Sequence, residues 1–162
     1  MRILISGGAG YIGSHVAFKF LKEKCDVYVI DNLENGSKSL VPKNAELIVA
    51  DISNEDEVLK VITSNKFDVL IHLAAYTKVG ESVQNPKKYY KNNVIGTLNV
   101  VEAAKKVKIK KLIYAASSSC YGTPKKLPTS EKDNIDLKHP YAITKFIGEE
   151  IVMRYASMFK MP

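Results

Sequence analysis

Cysteine is almost absent: Cys25 and Cys120 are the only two in 162 residues. They lie far apart and at no metal-ligand spacing, which excludes a disulfide framework and a structural zinc and predicts reduced thiols in a reducing compartment. Long apolar runs are also lacking, since no stretch approaches the ~20 residues a membrane span needs. The start, Arg2-Ile3-Leu4-Ile5, enters a strand pattern with no secretory n-region or cleavage site ahead of it. A soluble, cytoplasmic protein without membrane contact is expected. Arginine is scarce too: Arg2 and Arg154 stand against 22 Lys and 17 acidic residues, for a formal net charge of +7. The densest basic run, Lys105-Lys106-Val107-Lys108-Ile109-Lys110-Lys111, falls where a helix should end, a place the helix dipole makes favourable for cations. It lacks the interleaved aromatics and Arg of a nucleic-acid surface, so it reads as a solvated face and no nucleic-acid partner is expected.

The length and a hydrophobic content of 46% support one well-buried domain, residues 1–162, and not two. Short apolar runs alternate with stretches of helical period, the mark of strand-helix-strand units in a parallel sheet. Strands are predicted near Arg2–Ser6, Val27–Ile30, Glu46–Ala50, Val69–Leu73 and Lys111–Ala116. Helices are predicted near Tyr11–Lys24, Glu55–Ser64, Pro86–Val107 and Tyr141–Met158, with Asn54 capping the second through its spacing to Glu57. The Gly-, Pro-, Ser- and Asn-rich stretches Asn32–Asn44 and Gly122–His139 read as loops. The expected architecture is α/β: a Rossmann-type, doubly wound parallel sheet of five strands with helices on both faces. Such a sheet places its ligand crevice at the carboxyl ends of its strands.

Gly7-Gly8-Ala9-Gly10-Tyr11-Ile12-Gly13 follows the first strand and opens the first helix. Glycines there let the backbone turn sharply and approach a pyrophosphate with no Cβ in the way, while free N–H groups at the helix start bind phosphate. A glycine triplet alone is a weak signal. It becomes strong here because Asp31 stands at the end of the second strand, 18 residues past Gly13. That carboxylate can accept from ribose hydroxyls and would repel a 2′-phosphate, so NAD is favoured over NADP. Asp51, at the end of the third strand and followed by Ile52, either meets the adenine amino group or caps its own loop. His72, within an apolar strand, reads as a satisfied core residue, and Cys120 as packing.

Tyr141 and Lys145 share one helix face. The pattern Y-x-x-x-K carries little weight alone, because composition predicts about one match and there are two. Context separates them: Tyr121 to Lys125 contains Gly122 and Pro124, whereas Pro140 introduces a helix at Tyr141.

Gly7 to Gly13, Ala74-Ala75, Asn93 with Gly96-Thr97, Ser117 to Gly122, and Tyr141 with Lys145 together resemble the extended short-chain dehydrogenase/reductase family. Narrower marks resemble its nucleotide-sugar 4-epimerase branch: Gly10 to His15, Asp31-Asn32-Leu33 with Asn35, Val79 to Ser82, Tyr89-Tyr90, and Asn92 to Val94. The resemblance covers essentially the whole chain. It implies an NAD-dependent isomerase acting on a UDP-sugar, with Tyr141 as acid/base at the sugar 4-hydroxyl, Lys145 on the nicotinamide ribose and Ser117 sharing the substrate proton. It also implies that Gly7, Gly10, Tyr11, Ile12, Gly13, Asp31, Asn32, Asn35, Asp51, Ile52, Ala74, Ala75, Asn93, Tyr141 and Lys145 hold the cofactor, without a metal. The chemistry demands such a set: a free phenol is only about 0.1% ionised at neutral pH, and lowering its pKa by about three units requires ~4 kcal/mol of differential stabilisation, which a nearby ammonium and a positive nicotinamide ring supply.

Family dehydratases and decarboxylases carry carboxylates just after the Ser/Thr. Here those positions are Ser118 and Ser119, leaving epimerisation or simple oxidoreduction. Thr77 stands where many epimerases carry a cofactor-contacting Lys, and Lys78 follows one position later. The resemblance further implies a sixth strand and a substrate-gripping half beyond Pro162, absent from this chain, which is then part of a longer product or works with a partner. Two functions follow: a nucleotide-sugar 4-epimerase or its cofactor half, or a non-catalytic NAD-binding module acting as regulator or assembly partner. The apolar surplus on the helices near Pro86–Val107 and Tyr141–Met158 exceeds one stripe, and relatives of this kind pair these helices across a two-fold axis, so a homodimer through a four-helix bundle is expected.

Overall fold

Isoleucine, leucine and valine dominate the first strands on both faces, which suits a sheet covered from both sides. In the computed structural model, which describes residues 1–162, the order is β1 (Arg2–Ser6), α1 (Tyr11–Lys22), β2 (Asp26–Asp31), β3 (Glu46–Val49), α2 (Glu55–Ser64), β4 (Val69–His72), α3 (Val79–Gln84), α4 (Pro86–Tyr89), a π-helical segment (Tyr90–Ile95), α5 (Gly96–Lys106), β5 (Lys111–Tyr114) and α6 (Pro140–Phe159). All five strands are parallel, in the order β3-β2-β1-β4-β5. Alternation along β1 divides the core. Leu4 packs with Val58 and Ile62 of α2 and Val100 and Ala104 of α5, whereas Ile3 and Ile5 pack with Ala17, Val16 and Phe20 of α1. Each fully buried aliphatic side chain of this kind contributes about 1.5–3 kcal/mol of transfer free energy.

The helix ends follow their local chemistry. Asn54 accepts from the Glu57 amide at 3.3 Å and donates to the Glu57 carboxylate at 2.9 Å, a reciprocal cap at the start of α2. Lys24 adopts a left-handed φ of +57°, so α1 closes at Lys22, two residues before the expected end. β4 and β5 stop at His72 and Tyr114 instead of Leu73 and Ala116. Leu73 and Ala115 still donate to Ser6 and His72 carbonyls at 3.0 and 3.1 Å, and the chain then leaves the sheet. The single helix expected over Pro86–Val107 is three segments, with the π turn between α4 and α5. α3, six residues long with Gly80 inside it, is too short to have a period legible in the sequence. Past α6 the chain turns back to β5, where the Pro162 carbonyl accepts from the Leu112 amide at 3.1 Å. No helix is long and apolar enough to cross a membrane.

Candidate active site

The chain leaving the carboxyl ends of all five strands, together with α6, encloses a cleft of about 410 Å³. Its floor is the glycine turn. Gly7 has φ +73°, a conformation open to glycine, and a Cβ there would meet the Ala74 backbone at 2.8 Å. At Gly13 a Cβ would drive into the Gly7 carbonyl and come within 2.6 Å of Gly8 Cα, so α1 can pack this close to the turn only with glycine. Asp31 is buried and braces the turn: its carboxylate accepts from the Ala9 amide at 3.0 Å and the Leu33 amide at 2.9 Å.

Most of the residues singled out in the sequence converge here. Gly7, Gly10, Tyr11, Ile12, Gly13, Asp31, Asn32, Asn35, Ile52, Ala74, Ala75, Tyr141 and Lys145 line the cleft together. Three stand apart from its lining. Asp51 turns its carboxylate to the Ser53 amide at 2.8 Å, capping its own loop, while Ile52 forms the wall. Ser117 Oγ sits 3.3 Å from the Tyr141 hydroxyl and 2.8 Å from Ser119 Oγ. Asn93 is buried behind the wall, where it accepts from the Tyr76 amide at 2.9 Å and donates to the Tyr76 carbonyl at 3.0 Å and Thr144 Oγ1 at 3.2 Å. Tyr76, Asn92, Gly36 and Ala115-Ala116 also line the cleft. Asn92 belongs to a stretch that carries the family resemblance; for the others, a position just past a strand or beside a known site residue was the available signal. Thr77 lies in the lining, whereas Lys78 opens α3 and its carbonyl accepts from the Tyr89 hydroxyl at 2.7 Å.

Buried hydrogen bonds connect β1 to α6. Ser6 Oγ lies 2.5 Å from His72 Nδ1, His72 Nε2 lies 2.9 Å from Thr97 Oγ1, and Thr97 donates to the Asn93 carbonyl at 2.7 Å. Because Thr97 uses its only proton on that carbonyl, it must accept from Nε2–H, which assigns the proton of a neutral His72. Burial, with the Lys145 ammonium as a second cause, pushes His72 down to about 3. From Asn93 the connection continues through Thr144, whose hydroxyl donates to the Tyr141 carbonyl at 3.0 Å.

Lys145 lies one helical turn past Tyr141 and is almost fully buried. Its ammonium rests 4.1 Å from the centroid of the Tyr114 ring, and the Tyr114 hydroxyl donates to the Lys145 carbonyl at 3.1 Å. Desolvation lowers its pKa to about 8, against an opposing pull from Glu149. The result is a cation and the Tyr141 phenol lining one cleft, whose floor is the start of a helix: a site able to hold a phosphorylated ligand and move a proton at Tyr141 Oη.

A parallel sheet with a glycine turn after β1, an acid ending β2 and a Ser-Tyr-Lys set beside the cleft defines a dinucleotide-binding α/β protein of the short-chain dehydrogenase type. Residues 3–162 match the model of the NAD dependent epimerase/dehydratase family, and the chain belongs to that family. It is 40% identical over 152 residues to a UDP-glucose 4-epimerase of Lactobacillus helveticus, covering 94% of this chain and 46% of that protein. It is 37% identical over 161 residues to a bifunctional UDP-glucose 4-epimerase and UDP-xylose 4-epimerase of Pisum sativum, covering 93% and 46%. Among solved structures, the UDP-glucose 4-epimerase of Thermotoga maritima with UDP-glucose superposes with a TM-score of 0.96 at 32% identity, over 99% of this chain and 53% of that one. The Thermus thermophilus enzyme in complex with NAD gives 0.95 at 31%, over 99% and 52%. The chain thus spans about half the length of the relatives it matches.

The buried Lys145 generates a stability prediction. Its folded pKa of about 8 lies below the ordinary 10.5, so a charging penalty weighs on the folded state at neutral pH and is relieved as pH rises from 8 towards 10.5. Lys145→Met, similar in length and uncharged, is expected to stabilise the chain by about 1–3 kcal/mol at pH 7, with the gain shrinking at higher pH. Thermal melts of both proteins across that range check it; a lower melting temperature for the variant at pH 7 would contradict the assigned cause.

Proposed function

We propose that the chain is the NAD-binding, catalytic-residue-bearing half of a nucleotide-sugar 4-epimerase, acting on UDP-glucose/UDP-galactose-type substrates. The observation that carries the reading is the convergence of Ser117, Tyr141 and Lys145 beside a glycine-floored cleft, with Ser117 Oγ 3.3 Å from Tyr141 Oη. The cleft fits a dinucleotide on its own features. Gly7, Gly10 and Gly13 line it where the chain leaves β1 and starts α1 at the Gly10 cap, and the first N–H groups of a helix have no partner within the helix. Gly10 to Gly13 would take the pyrophosphate, Asp31 with Asn32 the adenosine ribose, and Lys145 the nicotinamide ribose. When bound, NAD supplies a reversible hydride acceptor. Tyr141 takes the proton of the sugar 4-hydroxyl and returns it, and Ser117 shares that proton across the 3.3 Å contact. The Asn93 amide holds Tyr76 and Thr144 in place and supports the wall from behind. Names and NAD-bound structures among the relatives support the cofactor and the substrate class. A cytoplasmic location accords with Cys25 and Cys120 being free thiols.

The apolar surplus beyond α5 and α6 supports a homodimer through a four-helix bundle. Tyr90 and Ile95 are exposed on the π-helical segment that leads into α5, and Met153 and Met158 on α6. A purely cofactor-binding, non-catalytic module remains the second reading, favoured by the chain spanning about half of its relatives.

Three measurements test this. Replacing Asp31 with Ala should weaken NAD by about 5- to 30-fold in a calorimetric titration and NADP by less, because both lose the brace on the glycine turn but NAD also loses a ribose acceptor while NADP is relieved of a repulsion. Equal losses would remove Asp31 from that role. Tyr141→Phe should bind NAD within severalfold of wild type yet abolish reduction of bound NAD by UDP-sugar; a reduction signal from the variant would exclude Tyr141 as acid/base, and none from the wild-type chain favours the non-catalytic module. Light scattering at micromolar concentration should give twice the 18.0 kDa chain mass, and a single monomeric species would reject the dimer.

A further inference from the structure

The two walls of the cleft are linked by side chains that the proposed chemistry does not use. The wall after β2 and the wall after β4 rise from strands on opposite sides of β1, with the glycine turn between them. Glu34, in the loop whose Asn32 and Asn35 line the first wall, accepts from the Lys88 ammonium at 2.7 Å and from the hydroxyl of Tyr76, which lines the second wall. Lys88, on α4, also donates to Glu81 of α3 at 2.8 Å, and its ammonium stands 4.2 Å from the centroid of the Tyr76 ring. Glu81 is braced in turn by the hydroxyl of the buried Tyr89 at 3.0 Å. One ammonium thus joins the loop after β2 to α3, α4 and the wall after β4.

The loop has little else to hold it closed. The Leu33 and Glu34 amides bond only to Asp31 and Asn32 side chains, both local, and the next tie outside the loop is the Ser37 amide to the Ala9 carbonyl at 2.9 Å. Isolated exposed ion pairs contribute little. Here a single cation is shared by two carboxylates and a ring face, so removing it also leaves Glu34 and Glu81 as unshielded like charges. Both carboxyls are held below their usual range, chiefly by hydrogen bonds from Lys88, and the Lys88 ammonium is raised in return.

We propose that Glu34, Tyr76 and Lys88 form a strap across the cleft that governs how fast a bound dinucleotide leaves it, a statement that rests on the reading of the cleft as an NAD site. On this proposal the two walls part when the ligand leaves, so the strap acts on the release rate more than on the contacts made with the cofactor.

Two measurements on the 162-residue chain test the strap. In the first, NAD release is followed by displacement with excess unlabelled nucleotide for wild type, Lys88→Met and Tyr76→Phe. Lys88→Met should release NAD about five- to tenfold faster, and Tyr76→Phe, which keeps the ring and loses one hydroxyl, about two- to threefold faster. Wild-type release should quicken with added salt more than that of Lys88→Met, since exposed ion pairs are screened. The second measurement, amide hydrogen exchange without nucleotide, should show Leu33, Glu34 and Ser37 exchanging faster in Lys88→Met than in wild type. Equal release rates in all three proteins overturn the strap. Failure of the wild-type chain to bind NAD overturns the cofactor reading instead, and equal exchange then overturns the strap as a structural tie as well.

Discussion

A buried line of hydrogen bonds, Ser6–His72–Thr97–Asn93–Thr144–Tyr141, is the constraint on which the site depends. It begins at the residue before the glycine turn and ends on the backbone of the residue that carries the phenol. Every member from Ser6 to Thr144 is buried, so each donor and acceptor must find its partner inside the protein, and no buried side-chain polar atom is left without one. Hydrophobic packing brings α5 and α6 against the sheet but allows small slides. The directional bonds do not, because sliding α6 along its axis would break the Asn93 Nδ2–Thr144 Oγ1 bond that ties it to the segment before α5, at about 1–3 kcal/mol for a polar group left unsatisfied in the interior. The line also requires His72 to stay neutral, and burial beside Lys145 keeps it so.

The same economy of polar groups explains Lys145. An ammonium placed among the Tyr114 ring and helix backbone is poorly solvated, and its lowered pKa is the record of that. A fold that stabilised itself alone would place an apolar residue there. A desolvated cation that lines a cleft is a candidate for a functional role, so the energetic defect accords with the proposed contact of Lys145 with the cofactor.

Much of this was legible in the sequence, for identifiable reasons. Strand alternation and glycine spacing are local signals, and β1, β2 and the turn from Gly7 to Gly13 lie where they pointed. Asp31 was legible because it ends a strand next to that turn, and Tyr141 because Pro140 starts a helix there. The legible part fades where tertiary contacts decide. Asp51 had two open readings, and the bond its Oδ1 accepts from the Ser53 amide is local to its own loop. Asn93 stood out by type and position, but its placement behind the wall depends on Tyr76 and Thr144, 17 and 51 residues away. Tyr76 and Lys88 carry no motif at all. Their meeting with Glu34 depends on how the connections after β2 and β4 converge, which no local pattern encodes.

The π-helical segment between α4 and α5 has a consequence of its own. A π turn holds one residue more than an α turn, and each helical residue rotates its neighbours by about 100°. Tyr90–Ile95 therefore lets Tyr89 face Glu81 while Asn92 and Asn93 face inward and Thr97 reaches His72. Removing one residue would leave a smoother helix, yet it would turn the half bearing Tyr89 and Lys88 out of phase with the half bearing Thr97. Here the chain encodes function through residue count as much as residue identity: side chains can be exchanged one at a time, but the length of this stretch acts as a fixed gauge between the two ends of the cleft.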